Sequence, residues 1–164
     1  MILDYTETEC LSKRIDCLFR ELQKAIKYKR HNILLAVYRS ELVRSEVEKV
    51  LGARLQALGY ETERVCINEQ HPDLPRDLRE RANRATTVYF VCGVRFGGGI
   101  DGQNGYRALN LRREYFVDCG LHVVLWLTEE EERLLPRYAP DFWAFRHRVV
   151  TFLDDSPAEQ MEQV

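Results

Sequence analysis

The densest run of residues able to do chemistry lies at positions 93–105, GVRFGGGIDGQNG, where six glycines crowd one connection. Arg95 and Arg107 flank this run, and Asn104 stands where a helix is expected to begin. Free backbone amides at a helix N-terminus beside two guanidinium groups are the ingredients of an anion site. The candidate anion-binding residues are therefore Arg95, Gly97, Gly98, Gly99, Asn104 and Arg107. The spacing fits neither GxxxxGK[ST] nor GxGxxG. The competing reading is a crossover loop that uses its glycines to follow the sheet edge.

Other reactive side chains are scattered. His31, His71, His122 and His147 form no HxxxH pair, and the five cysteines form no CxxC pair, so neither a zinc site nor any other cofactor is expected. Cys92 should end one strand and His122 begin another, placing them about 20 Å apart at opposite ends of a parallel sheet. Cys92 then reads as a buried structural thiol. The acidic run at 128–132, TEEEE, reads as a solvated first helical turn favoured by the helix dipole. Asp141, Trp143 and Arg146 form a dense group with anchoring roles, and Arg146 is expected to pair with Asp141 or Glu114. The turn after the first strand, YRSELVRSE at 38–46, lacks the glycines and the lysine of a phosphate-binding loop, which argues against a mononucleotide site there.

The elements that must position these residues follow from periodicity. Leu11, Ile15, Leu18, Phe19, Leu22 and Ile26 mark one apolar face of a helix over 5–27, opened by a Thr6/Glu9 capping box. ILLAVY at 33–38 is too continuously apolar for a half-solvated strand and predicts a central one covered on both sides. A helix over 41–58 with Ser40 as its cap and Gly59 as its stop comes next, then a strand at 62–67 and a short helix at 75–83. A strand at 86–91, a helix at 106–119 ending at Gly120 and a strand at 122–127 follow. Thr128 and Glu131 begin a helix that Pro136 should interrupt or force into a new turn, and a helical turn at 141–147 leads to a strand at 149–153. Helix-length crossovers force parallel pairing. The expected fold is a three-layer α/β domain over 1–153, with a mainly parallel five-strand sheet and helices on both faces. Residues 154–164 read as a tail or linker. The first helix precedes every strand, so it is free to dock on its own sheet or on a partner or second copy. Leu18 and Leu22, at mid-helix, are the residues a partner would use.

Composition bounds the function. With 24 basic and 26 acidic residues the net charge is −2, which supplies no broad positive surface for nucleic acid. No segment is long and apolar enough to span a bilayer. The N-terminal residues MILDYTETEC lack the basic and apolar regions of a secretion signal, and the odd number of cysteines suits free thiols in a reducing cytoplasm.

The order ALNLRREYF, then VVLWLTEEEERLLPRYAPDFWAFRHRVVTF, resembles a divergent α/β domain found near the N-termini of large bacterial STAND-type NTPases and TPR-containing signalling proteins. Leu109, Asn110, Arg113, Glu114, Trp126, Ala139, Pro140, Asp141, Arg146 and Phe152 carry the match, with Phe142 and Trp143 as its aromatic pair. The resemblance covers 106–153 and implies a degenerate P-loop-type fold without a working Walker motif. It also implies a non-catalytic adaptor or sensor beside an NTPase or effector, in regulatory or defence settings. Asn110, Arg113, Glu114, Trp126, Asp141, Trp143 and Arg146 are expected to form its structural network. The alternative function is a nucleotide- or anion-responsive enzyme domain using the loop at 93–105.

Overall fold

The structure is a computed structural model and describes residues 11–154. The strands β1 (Asn32–Tyr38), β2 (Glu61–Cys66), β3 (Thr87–Cys92), β4 (His122–Leu127) and β5 (Arg148–Phe152) form one sheet in the order β2-β3-β4-β1-β5. Every pairing is parallel. The unbroken apolar runs occupy the interior positions of the sheet, and the polar β2 sits at an edge.

After β1 the chain crosses through α2 (Glu41–Ala57) to the far edge, then returns by way of β3 and β4 and passes over β1 to β5. Right-handed crossovers running in opposite directions place their helices on opposite faces. The two cores have this arrangement. Leu34, Ala36, Trp126 and Phe152 meet α2 on one face, while Ile33, Leu35, Leu125 and Leu127 meet the remaining helices on the other. Those helices are α3 (Leu74–Arg79), α4 (Asn104–Leu111), α5 (Glu114–Asp118), α6 (Glu129–Tyr138) and α7 (Pro140–Ala144). The three-layer α/β architecture is thus present, with a sheet that is wholly parallel.

Helix α1 (Leu11–Lys27) joins α2 on the first face. Leu18 and Leu22, the residues a partner would use if this face were free, are both 0% exposed within this core. The helix is docked on its own domain, because its apolar stripe covers the part of the sheet that α2 leaves bare. An ion pair of Arg54 with Asp16 at 2.5 Å joins the two helices. The Thr6/Glu9 capping box lies outside the described residues. Arg14 reaches Asp154 at 2.7 Å, so the first residue assigned to the tail is tied to α1; the rest of that segment, 155–164, lies outside the described residues.

Two helices differ from expectation. The segment at 106–119 is broken into α4 and α5 around Arg112, whose φ of −113° and ψ of 31° leave the helical region. The Arg113 guanidinium donates to the Asn110 carbonyl at 2.9 Å and satisfies an acceptor near the break. Pro136 does not interrupt α6. It falls in the last turn, where its missing amide removes one helical hydrogen bond near an end that closes two residues later.

Candidate functional site

In an open parallel sheet, ligands bind beyond the carboxyl ends of strands whose connections leave in opposite directions. Here those strands are the neighbours β1 and β4. Ser40 caps α2 after β1, and Thr128 caps α6 after β4 in a full capping box with Glu131. Glu131 is only 3% exposed, contrary to a solvated acidic face. Its carboxylate accepts from the Thr128 amide at 2.9 Å and from the Arg95 amide at 3.2 Å. Arg39 bridges the crevice by donating to Glu129 at 2.9 Å and to the Leu153 carbonyl at 3.2 Å. The Tyr38 hydroxyl donates to Glu41, and burial together with that carboxylate pushes its pKa up to about 12. The chain's own carboxylates therefore occupy the amides and the guanidinium that a bound anion would need. Cavities of about 590 Å³ and 420 Å³ open elsewhere, between α1 and β5 and between β2 and α3.

The glycine loop folds on itself. Two short 3₁₀ turns, Val94–Phe96 and Ile100–Gly102, lead into α4. A Cβ on Gly105 would lie 2.3 Å from the Val94 carbonyl oxygen, and one on Gly97 would lie 2.6 Å from the Gly105 nitrogen. These glycines permit close backbone contact inside the loop, which is a sufficient reason for their presence. The structure brings Gly97, Gly98, Gly99 and Asn104 together, but the Asn104 amide donates to the Gly98 carbonyl at 3.0 Å and the Asn104 side chain lies over Gly99. Arg95 and Arg107 are exposed: the first stacks on Phe96 at 4.7 Å and the second donates to Gln103 at 3.4 Å. The outer surface of the loop carries Phe96, 58% exposed, and Ile100, 77% exposed.

Asn110 links α4 to α7. Its side-chain oxygen accepts from the Asp141 amide at 2.8 Å and from the Phe142 amide at 3.2 Å, capping a helix whose own N-cap, Ala139, has no side chain for the task. Arg113 lies 3.7 Å from Asp141 and 3.8 Å from Glu114. Arg146 does not reach either acid. It stacks on Trp143 at 4.0 Å and donates to the Trp143 carbonyl at 2.7 Å, because the turn after α7 directs it back along its own segment. Trp126 is not part of this group. Alternation along β4 sends it to the α1–α2 face, against Tyr38 and Phe152. Asn110→Ala should lower stability by about 1–2 kcal/mol through loss of the cap, a fall of about 2–8 °C in the thermal midpoint measured by calorimetry. Arg146→Ala, which removes a surface stack, should cost less.

Two clusters were not identified from the sequence. At the amino edge of the sheet, His122 pairs in register with Asn32 and Val88, and its ring meets Tyr60 edge-on at 6.0 Å. His122 Nδ1, Asn32 Oδ1 and Thr87 Oγ1 are buried there without hydrogen-bond partners. At the carboxyl edge, Cys66 and Cys92 face each other across β2 and β3 with sulfurs 3.4 Å apart. Both close their strands, a signal that points to the pair only once β2 and β3 are known to be neighbours. Cys92 and His122 are separated by four register positions, about 13 Å rather than 20 Å, still far beyond contact. Among the described residues, no group of three or more His, Cys, Asp or Glu side chains could hold a metal ion, and no helix is long and apolar enough to cross a membrane. Compared with known proteins, the chain matches no family model and no curated relative.

Proposed function

We propose that this domain is a non-catalytic adaptor or sensor module that works by protein contact, with an NTPase or effector domain as its partner. The observation that carries this reading is the self-occupied carboxyl edge, where Glu131 holds the Thr128 and Arg95 amides and Arg39 is engaged by Glu129 and Leu153. A nucleotide phosphate entering this crevice would have to displace a buried carboxylate from two amides without gaining a lysine or a phosphate-wrapping loop. The exposed Phe96 and Ile100 of the glycine loop offer apolar area to a protein surface. Partner class and signalling or defence setting rest on the resemblance over 106–153.

Titration calorimetry with Mg-ATP and Mg-GTP, followed by a phosphate-release assay, tests the reading. No binding heat and no turnover are expected, and a STAND-type NTPase domain should bind the wild-type chain more tightly than it binds Phe96→Asp/Ile100→Asp. Micromolar nucleotide affinity abolished by changes at 93–105 would establish the nucleotide-responsive alternative instead.

A further inference from the structure

Cys66 and Cys92 are the last residues of β2 and β3 and are direct partners in the parallel register. Adjacent strands run about 4.8 Å apart, within the roughly 4.4–6.8 Å Cα separation that a disulfide spans. Their side chains point the same way, towards α2, since register partners share a face. The sulfurs of these two free thiols are 3.4 Å apart. Closing that gap to about 2.05 Å takes a movement of about 1.4 Å, within reach of small side-chain rotations. Cys66 is exposed and open to a reagent, while Cys92 is half-buried behind it.

We propose that Cys66 and Cys92 form a reversible dithiol–disulfide site, oxidised by a small-molecule disulfide such as glutathione disulfide. The Cys66 thiolate attacks one sulfur of the reagent, forming a mixed disulfide and releasing one glutathione thiolate. The Cys92 thiolate then attacks the Cys66 sulfur, forming the Cys66–Cys92 bond and expelling the second glutathione. The protein loses two electrons and two protons, and one disulfide reagent becomes two thiols. Arg44 and Arg64, the latter held at 2.5 Å by Glu48, favour the Cys92 thiolate, but burial and the neighbouring Cys66 sulfur outweigh them and push its pKa up to about 12. Closure is therefore the slower step. It becomes easier once Cys66 is capped, because the Cys66 sulfur can then carry no negative charge beside its neighbour.

The product ties the edge strand β2 to β3 where the chain enters the glycine loop, next to the Ile67 amide, which donates to the Cys92 carbonyl at 2.9 Å. The test is incubation of the reduced full chain with excess glutathione disulfide, then thiol counting and mass spectrometry of the intact protein and its peptides. Wild type should lose two of its five thiols to a species lighter by two hydrogens, with a linked Cys66–Cys92 peptide that dithiothreitol reverses. Cys92→Ser should stop at a glutathione adduct on Cys66, and Cys66→Ser should give no linked product. The proposal is overturned if wild type keeps stable glutathione adducts without the link, leaves both thiols unreacted, or links other cysteines instead.

Discussion

Gly105→Ala is expected to destabilise the domain by about 3 kcal/mol, lowering the thermal midpoint by about 6–12 °C. The added Cβ would stand 2.3 Å from the Val94 carbonyl oxygen and 3.2 Å from Ile67 Cγ2. The first of these is backbone, so no rotamer change can relieve it. Gly105 also lies within α4, where alanine returns about 1 kcal/mol of helix propensity. The clash has to exceed that return, and a contact this short against a main-chain atom belongs at or above the upper end of overpacking costs. Gly120→Ala is the control. Gly120 has φ of +59°, but a Cβ added there would meet nothing within 4 Å, so only the left-handed backbone is disfavoured, at a cost of about 1–2 kcal/mol. Differential scanning calorimetry of the two variants separates close approach from conformation. Equal midpoints would mean that the loop yields at Val94 and is looser than its geometry shows.

The same contacts explain why a glycine-rich connection at the expected place for an anion site is a poor one. Phosphate-binding loops keep their amides pointing outward around an empty hollow. Here the Arg95 amide goes to Glu131, the Asn104 amide goes to Gly98, and Gly97 lies directly against Gly105. The hollow is filled by the loop itself.

The sheet was legible because its strands declare themselves by composition. HVVLWL and ILLAVY are buried on both faces and have no helical alternative of comparable quality. Helix-length spacers then left parallel pairing as the natural outcome. What periodicity could not supply was strand order, and the site depends on order. Only the adjacency of β1 and β4 places Thr128 and Glu131 opposite Arg39, and only the pairing of β2 with β3 brings Cys66 to Cys92. Glu131 illustrates the loss most clearly. In TEEEE it is one acid among four, and its burial follows from a loop more than thirty residues away whose amide it accepts. A helical face and the resemblance put Asn110 near Asp141, but its role is as a cap for backbone amides rather than as a partner for charged side chains. Arg146 failed as an expected ion-pair partner for the related reason that side-chain direction in a short turn is set by packing on Trp143.

Acid should weaken this fold before its carboxylates titrate, and His122 is the cause. The residue is 4% exposed, and burial first, then the charge of nearby His31, lowers its pKa from 6.5 to about 4. Burial and His147 lower the pKa of His31 as well. In the unfolded chain His122 takes up a proton as the pH falls through 6.5, whereas the folded chain resists doing so until about 4. The stability associated with the neutral ring is thus complete above 6.5 and is lost progressively between 6.5 and 4, to a total of about 3 kcal/mol. Urea unfolding from pH 7.5 down to 5 should show a slope approaching 1.4 kcal/mol per pH unit at the acid end of that range. His122→Leu should flatten most of it, leaving the smaller contribution of His31. The variant should also remain folded, because His122 Nδ1 has no hydrogen-bond partner to lose and leucine suits the apolar strand. A wild-type slope unchanged by His122→Leu between pH 6.5 and 5 would place the acid sensitivity in other groups and show that His122 accepts its proton in the folded domain.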